Sequence, residues 1–257
     1  MSLTSPLSRR VVSIRGDLVL KIQEPEASRK ERLRTLAGGE AGRATGLFVV
    51  PEIVSYDDAQ GEITFRRLQL MSFRQILSQR KNALELVERT GHALAAIHRH
   101  MKSADNDGPS GRSQRVGSAS RWVPLHGDFG MRNVFGLPDS ETIAIIDWAN
   151  ADWTGVDADV GLPEIDVAVF LISLFHRRIF GPWPVSGRHQ VARRFLAAYT
   201  NFAPFGVDVR TLREVVAGMS PAFTRMTRRR KGSLHALGCR HAMIDLQFFL
   251  RRYSNPG

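Results

Sequence analysis

Two stretches decide the fold: Leu125-His126-Gly127-Asp128-Phe129-Gly130-Met131-Arg132-Asn133-Val134, and Ile143-Ala144-Ile145-Ile146-Asp147-Trp148. Each sets an acidic residue at the edge of a short apolar run. Such a run reads as a buried strand, and a carboxylate at its end projects into a cleft. An Asp, an Asn five residues on and a second Asp fourteen beyond that make an oxygen-rich set. Oxygen ligands of this kind suit a hard cation such as Mg²⁺, which keeps several waters and also holds phosphates.

Upstream, the chain is β-rich. Val11–Ile14 and Leu18–Ile22 flank Arg15-Gly16-Asp17 and read as a hairpin. Pro25 to Leu36 has helical composition and is expected to end at a break around Gly38-Gly39. Phe48–Ser55 and Glu62–Leu68 are strand candidates joined by the turn Asp57-Asp58-Ala59-Gln60-Gly61. After Ser72 the pattern turns helical. Leu84, Val87, Leu94 and Ile97 carry one helix through Leu84–His100. Residues 103–121 are polar and Gly/Ser-rich and read as a mobile loop. From Pro163 onward the chain is mostly helical, with breaks expected at Gly181-Pro182 and near Pro204. A β-rich front and an α-rich back outline an α+β protein in two lobes, residues 1–71 and 72–257.

The set His126-Gly127-Asp128, Asn133 and Ile146-Asp147-Trp148 resembles the aminoglycoside phosphotransferase and choline kinase-like family, whose members share the protein-kinase-like fold. Gly161-Leu162-Pro163-Glu164-Ile165-Asp166-Val167-Ala168 is similar to that family's Gly-x-Pro-x-x-Asp-Leu-Ala helix start. Gly91-His92-Ala93-Leu94-Ala95-Ala96-Ile97-His98 resembles the helix before its catalytic loop. The resemblance is good from about Thr90 to Leu171 and thinner outside. It implies a bilobal kinase-like fold with a small N-terminal antiparallel sheet plus helix for the nucleotide. A larger, mostly helical C-terminal lobe would serve catalysis and the acceptor.

It also implies roles. Asp128 would orient or deprotonate the acceptor hydroxyl. Asn133 and Asp147 would hold Mg²⁺ against the phosphates of ATP or GTP. His126 and Asp166 would brace the catalytic loop. Lys21, the only lysine in a strand candidate, stands where the family places the lysine that meets the α- and β-phosphates. Its expected partner is Glu31; Glu40 competes, but follows Gly38-Gly39. Kinases cover the phosphates with a turn between their first two strands. Only about ten residues precede Val11, and they hold no Gly-rich loop. Either the first strand is missing, or Arg9–Ile14 serves in its place, or the chain starts further upstream. Hinge residues are expected at Leu68 to Phe73.

Charge qualifies the picture. The 257 residues carry a formal +11, from 36 Lys and Arg against 25 Asp and Glu. That balance first suggests nucleic acid or a membrane surface. Divided along the chain, residues 1–127 carry +7, residues 128–166 carry −8 and residues 167–257 carry +12. The catalytic segment is thus an acidic island, and nucleic acid is not the expected partner. The surplus acids Asp152, Asp157 and Asp159 favour a cationic small-molecule acceptor with a hydroxyl, such as an amino sugar or amino alcohol. The basic late helices leave an anionic acceptor open. So are a kinase acting on protein or a lipopolysaccharide sugar, and a kinase-fold binding protein without activity. A single cysteine, Cys239, excludes an intrachain disulfide, and no apolar run follows the N-terminal arginines. The longest apolar run, Val167 to Phe175, falls short of the roughly 20 residues of a membrane span. The expectation is a cytoplasmic protein.

Overall fold

In the computed structural model, the residues described are 10–73, 75, 83–102, 121–138, 140–149, 159–176 and 185–254. The front of the molecule is a four-stranded antiparallel sheet. Strands β1 (Val11–Arg15) and β2 (Leu18–Ile22) form the hairpin expected from the sequence. The sheet order is β1-β2-β5-β4, with β4 at Ile53–Asp57 and β5 at Glu62–Arg66. The hairpin turn is only Gly16-Asp17, and Gly16 takes a left-handed backbone, φ 59°. A tight hairpin turn demands such a residue.

Two expectations change here. The strand read as Phe48–Ser55 is two elements. Pro51 has no N–H to give to a ladder, and the chain switches sheets around it. β3 (Phe48–Val49) pairs in parallel with β9 (Ile143–Ile145), whereas β4 stays in the front sheet. The resulting second sheet has the order β3-β9-β8-β6, with β6 at Met71–Ser72 and β8 at Val134–Gly136.

The second change concerns Gly38-Gly39. Helix α1 runs unbroken from Pro25 to Thr45 and ends on Gly46, whose N–H reaches the Gly42 carbonyl at 2.8 Å. The glycines are there for close approach. A Cβ on Gly38 would collide with the Trp148 indole, and one on Gly42 would lie 2.5 Å from the Phe48 carbonyl. Tertiary contact outweighs the roughly 1 kcal/mol that glycine costs inside a helix. α1 therefore lies hard against the second sheet and fixes the front sheet relative to the rest.

Among the described residues five further helices build the back. α2 (Ala83–His100) and α3 (Glu164–His176) flank the segment that carries Asp128 and Asp147. α4 (Val185–Phe202), α5 (Val209–Lys231) and α6 (Ser233–Ser254) follow. α3 carries the apolar run Val167–Phe175, and all of it but Ser173 is buried. α2 and α4 touch closely at Gly91, where a Cβ would meet the Phe195 carbonyl at 2.8 Å. One hydrophobic core runs from Ala41 and Phe48 through Phe129, Trp148 and Phe170 to Leu250. A short pair, β7 (Val123–Pro124) with β10 (Val160–Gly161), leads into the loop that carries Asp128. Residues 103–120 and 181–182, read as a loop and a break, lie outside the described residues. Among the described residues no helix is long and apolar enough to cross a membrane.

Candidate active site

The sheet that α1 packs against brings the oxygen-rich residues together. β8 and β9 are antiparallel, with Val134 opposite Ile145. Asn133 precedes β8 and Asp147 follows β9, so the two sit at the same end of the pair. The Ile146 N–H donates to the Asn133 carbonyl at 2.9 Å and closes that end. Asn133 Nδ2 donates to the Asp128 carbonyl oxygen at 2.9 Å and to its carboxylate Oδ2 at 3.0 Å. Asp128 and Asn133 are both buried.

Asp147 is the one described non-glycine residue with a left-handed backbone, φ 60°. Aspartate tolerates this region better than most residues, and such conformations cluster at functional sites. Its Oδ1 accepts from Lys21 Nζ at 3.0 Å and from Arg10 Nη2 at 2.5 Å. Burial alone would raise the Asp147 carboxyl; Lys21 and then Arg10 hold it below the usual carboxylate range. Asp128 shifts the other way. Its burial pushes the carboxyl up, and the adjoining Arg132 guanidinium only partly offsets this.

Lys21 is buried and also ion-paired with Glu31, whose Oε2 accepts a second hydrogen bond from Gln23 at 2.7 Å. Of the two glutamates considered, Glu31 meets Lys21. Glu40 is helical as well, but exposed. Lys21 thus bridges α1 to Asp147, tying the front sheet to the end of the β8–β9 pair. A cavity of about 310 Å³ opens beside these residues. Val12, Ile14, Val19, Phe65, Leu68, Leu70 and Ile146 give it apolar walls, and Arg10, Lys21, Asn133 and Asp147 line its polar side. Leu68 and Leu70 belong to the β5–β6 connection expected to act as hinge.

The loop carrying Asp128 is braced from beneath. Asp166, at the start of α3, accepts the backbone N–H groups of His126 at 2.7 Å and Gly127 at 2.8 Å. His98 Nε2 lies 3.2 Å from the same carboxylate, and its Nδ1 lies 2.7 Å from the Tyr199 hydroxyl. With Nε2–H donating to Asp166, Nδ1 accepts from Tyr199. Burial alone would raise the Asp166 carboxyl; the His98 hydrogen bond, with the charges and N–H groups around it, keeps it low. The Met131 N–H donates to Ser173 Oγ at 2.9 Å, a second tie to α3.

His126 is fully buried between Phe129 and Trp148, with ring centroids 5.6 and 4.5 Å away. Burial pushes its imidazole down to about 4, so it is neutral at pH 7. Its Nδ1 accepts the Asp128 N–H at 3.3 Å.

Sequence reading missed three contributors. His98 ends the run Gly91–His98, and nothing in its spacing announces a carboxylate partner 68 residues away. Arg34 is buried and donates to the Leu125 carbonyl just before the loop that carries Asp128. Glu164 is buried and accepts from Arg121 and from the Asp208 N–H at 2.9 Å. Of the three acids expected to face the acceptor, Asp159 lies 3.8 Å from Arg34 with 13% of its side chain exposed. Asp152 and Asp157 lie outside the described residues.

No group of three His, Cys, Asp or Glu side chains among the described residues is arranged as a metal cage. Asn133 and Asp147 instead offer two oxygen donors on the polar side of a cavity. That matches a Mg²⁺ ion completed by waters and phosphate oxygens.

No known family profile matches the chain, and no curated protein matches it in sequence. Solved structures do match in shape. A glucosamine kinase in complex with glucosamine, ADP and inorganic phosphate superposes with a TM-score of 0.64 at 16% identity, covering 97% of this chain and 81% of that one. A choline/ethanolamine kinase family protein from Mesorhizobium loti gives 0.54 at 15% identity, covering 96% and 93%. The gentamicin complex of APH(2")-IIa gives 0.55 at 13% identity, covering 93% and 90%. The chain therefore has the α+β, protein-kinase-like fold of these small-molecule phosphotransferases, as the sequence resemblance implies.

Proposed function

We propose that the chain is a phosphotransferase that moves the γ-phosphoryl group of ATP or GTP to a hydroxyl of a small molecule. The observation that carries this reading is the convergence of Lys21, Asn133 and Asp147 on one side of an apolar-walled cavity, with Asp128 bonded to Asn133. Residues 1–71 would form the nucleotide lobe and residues 72–257 the lobe for catalysis and acceptor.

Phosphoryl transfer depends mainly on positioning and on neutralising charge. The apolar walls suit a purine, and the Leu68–Leu70 backbone lies where its edge would come. Lys21, held by Glu31, meets the α- and β-phosphates. Arg10 lies on the same side and supplies a further phosphate contact from the start of β1, so that Arg9–Ile14 serve as phosphate cover. Asn133 and Asp147 hold Mg²⁺, which when bound neutralises developing phosphate charge. Asp128 accepts the proton of the acceptor hydroxyl as its oxygen bonds to the γ-phosphorus and the nucleoside diphosphate leaves. A carboxyl raised by burial is a better base than an ordinary aspartate. Asp166 and His126 position the loop. We place the enzyme in the cytoplasm, where ATP, GTP and Mg²⁺ are supplied.

The acceptor is an amino sugar or amino alcohol in this reading. Asp159 already lies against Arg34, so the acceptor's cation would be met chiefly by Asp152 and Asp157. The test is product formation from nucleotide, Mg²⁺ and a panel of such compounds. Asp128→Ala should lower kcat by about 10³-fold while leaving nucleotide binding in place. Transfer unchanged in that variant sinks the assignment. Labelled phosphate entering protein or lipopolysaccharide rather than the panel would favour a macromolecular acceptor.

A further inference from the structure

The proposed reaction uses the acidic island and leaves the +12 of residues 167–257 unexplained. Much of that charge lies on α5 and α6. α6 is apolar on two opposite sides. One side carries Ala236, Cys239, Met243, Leu246, Phe249 and Leu250, all buried in the core. The other carries Leu234, Leu237, Ile244 and Phe248, which are 74, 64, 69 and 47% exposed.

At 3.6 residues per turn these four fall in one arc of roughly 80°. His241 and Arg252 lie in the same arc, and Arg240 and Arg251 flank it; all four are exposed. Among the described residues no acid lies within this arc; Asp245 borders its other edge, half-buried and turned toward Arg188 and His189. At the start of α6 the exposed run Arg228-Arg229-Arg230-Lys231 adjoins Leu234. Along its flank, α5 and α6 enclose a groove of about 720 Å³ in which Arg210, Arg213 and Arg251 sit beside Ile244 and Phe248. Glu214 is the single acid of that groove.

We propose that this face docks on an anionic lipid surface. An apolar ridge flanked by arginines is the signature of an element that lies in a membrane interface. The aliphatic ridge enters the acyl boundary while long arginine stems reach back to anionic headgroups. Charge decides among occupants. A second copy of the chain would set Arg240, Arg251 and Arg252 against their own equivalents. Nucleic acid would match the arginines and leave four large apolar side chains uncovered. The face is independent of the phosphotransfer reading, since none of its residues lines the catalytic cavity.

Co-sedimentation of the full chain with vesicles tests it. Vesicles of equimolar phosphatidylcholine and phosphatidylglycerol should carry the protein down; vesicles of phosphatidylcholine alone should not. Raising NaCl to about 0.5 M should release much of it, since the Debye length then falls well below 10 Å. The double variant Leu237→Ser, Ile244→Ser should bind the anionic vesicles about tenfold more weakly. Arg240→Gln with Arg251→Gln should also weaken binding about tenfold, and this pair guards against misfolding of the first variant. Equal binding to both vesicle types, no binding to either, or binding untouched by both variants overturns the proposal. So does a wild-type dimer that Leu237→Ser, Ile244→Ser converts to monomer, or retention on nucleic acid with no binding to vesicles.

Discussion

Residues 128–166, with −8, and residues 167–257, with +12, carry opposite charge, and the structure treats them oppositely. In the first region the described acids other than Glu141 face inward and are matched. Asp128 meets Arg132, Asp147 meets Lys21 and Arg10, Asp159 lies near Arg34, Glu164 meets Arg121, and Asp166 meets His98. In the second, Arg188 is buried against Asp245, while Arg225, Arg228, Arg229, Arg230, Arg240, Arg251 and Arg252 stand exposed. A net charge read along a chain therefore says nothing about cost until burial is known. Buried charges organise the fold and are expensive to unpair; exposed ones set what the surface attracts.

The largest effect should come from unpairing the interior. Asp166→Ala strands the N–H groups of His126 and Gly127 and the His98 ring in a site without water access. It should lower the unfolding free energy by about 4 kcal/mol in a urea titration. A loss below about 1 kcal/mol would mean that the loop has other support, and the contrast between the two regions would fade.

Next comes pH. His126 titrates near 4 in the folded chain and near its ordinary 6.5 when unfolded. Between those values the unfolded state binds more protons, so stability rises with pH across the window and is lost as pH falls through it. The expected loss from pH 7 to pH 5 is about 2 kcal/mol from this residue. Asp166, depressed in the fold, adds a further loss only below the usual carboxylate range. Unfolding curves at pH 7 and pH 5 check this. His126→Asn should remove the 7-to-5 component; the same pH slope in that variant would assign it elsewhere.

A smaller effect tests the packing that holds the front sheet in place. Gly38→Ala should cost about 1.5 kcal/mol, because its methyl meets the rigid Trp148 ring rather than a movable side chain. This position also shows where sequence reading stops. Strand-edge Asp128, Asn133 and Asp147 are legible because motif and spacing are local, and Lys21 stands out as a strand lysine. Gly38-Gly39 reads as a break because a glycine's packing partner, here Trp148, is 110 residues away and leaves no local mark. The same holds for Arg34 under Leu125 and for His98 under Asp166. Pro51 is the converse: its local rule is visible in the sequence, yet the sheet that receives Phe48–Val49 is set by β9.

The smallest expected effect is the sharpest check on the comparison. Changing Arg228, Arg229 and Arg230 together to Gln removes three charges, more than Asp166→Ala removes, yet should move stability by no more than about 0.5 kcal/mol. All three are exposed, and solvent already screens them. Their position in the last turn of α5 gives each a small favourable interaction with the helix dipole. Mutual repulsion among neighbouring cations offsets part of it. Thermal unfolding at low and moderate salt shows how much of any change is electrostatic, since both contributions fade as salt rises. A loss above about 2 kcal/mol, insensitive to salt, would show that these arginines are structural partners of the core. The division between a matched interior and a free basic surface would then be wrong.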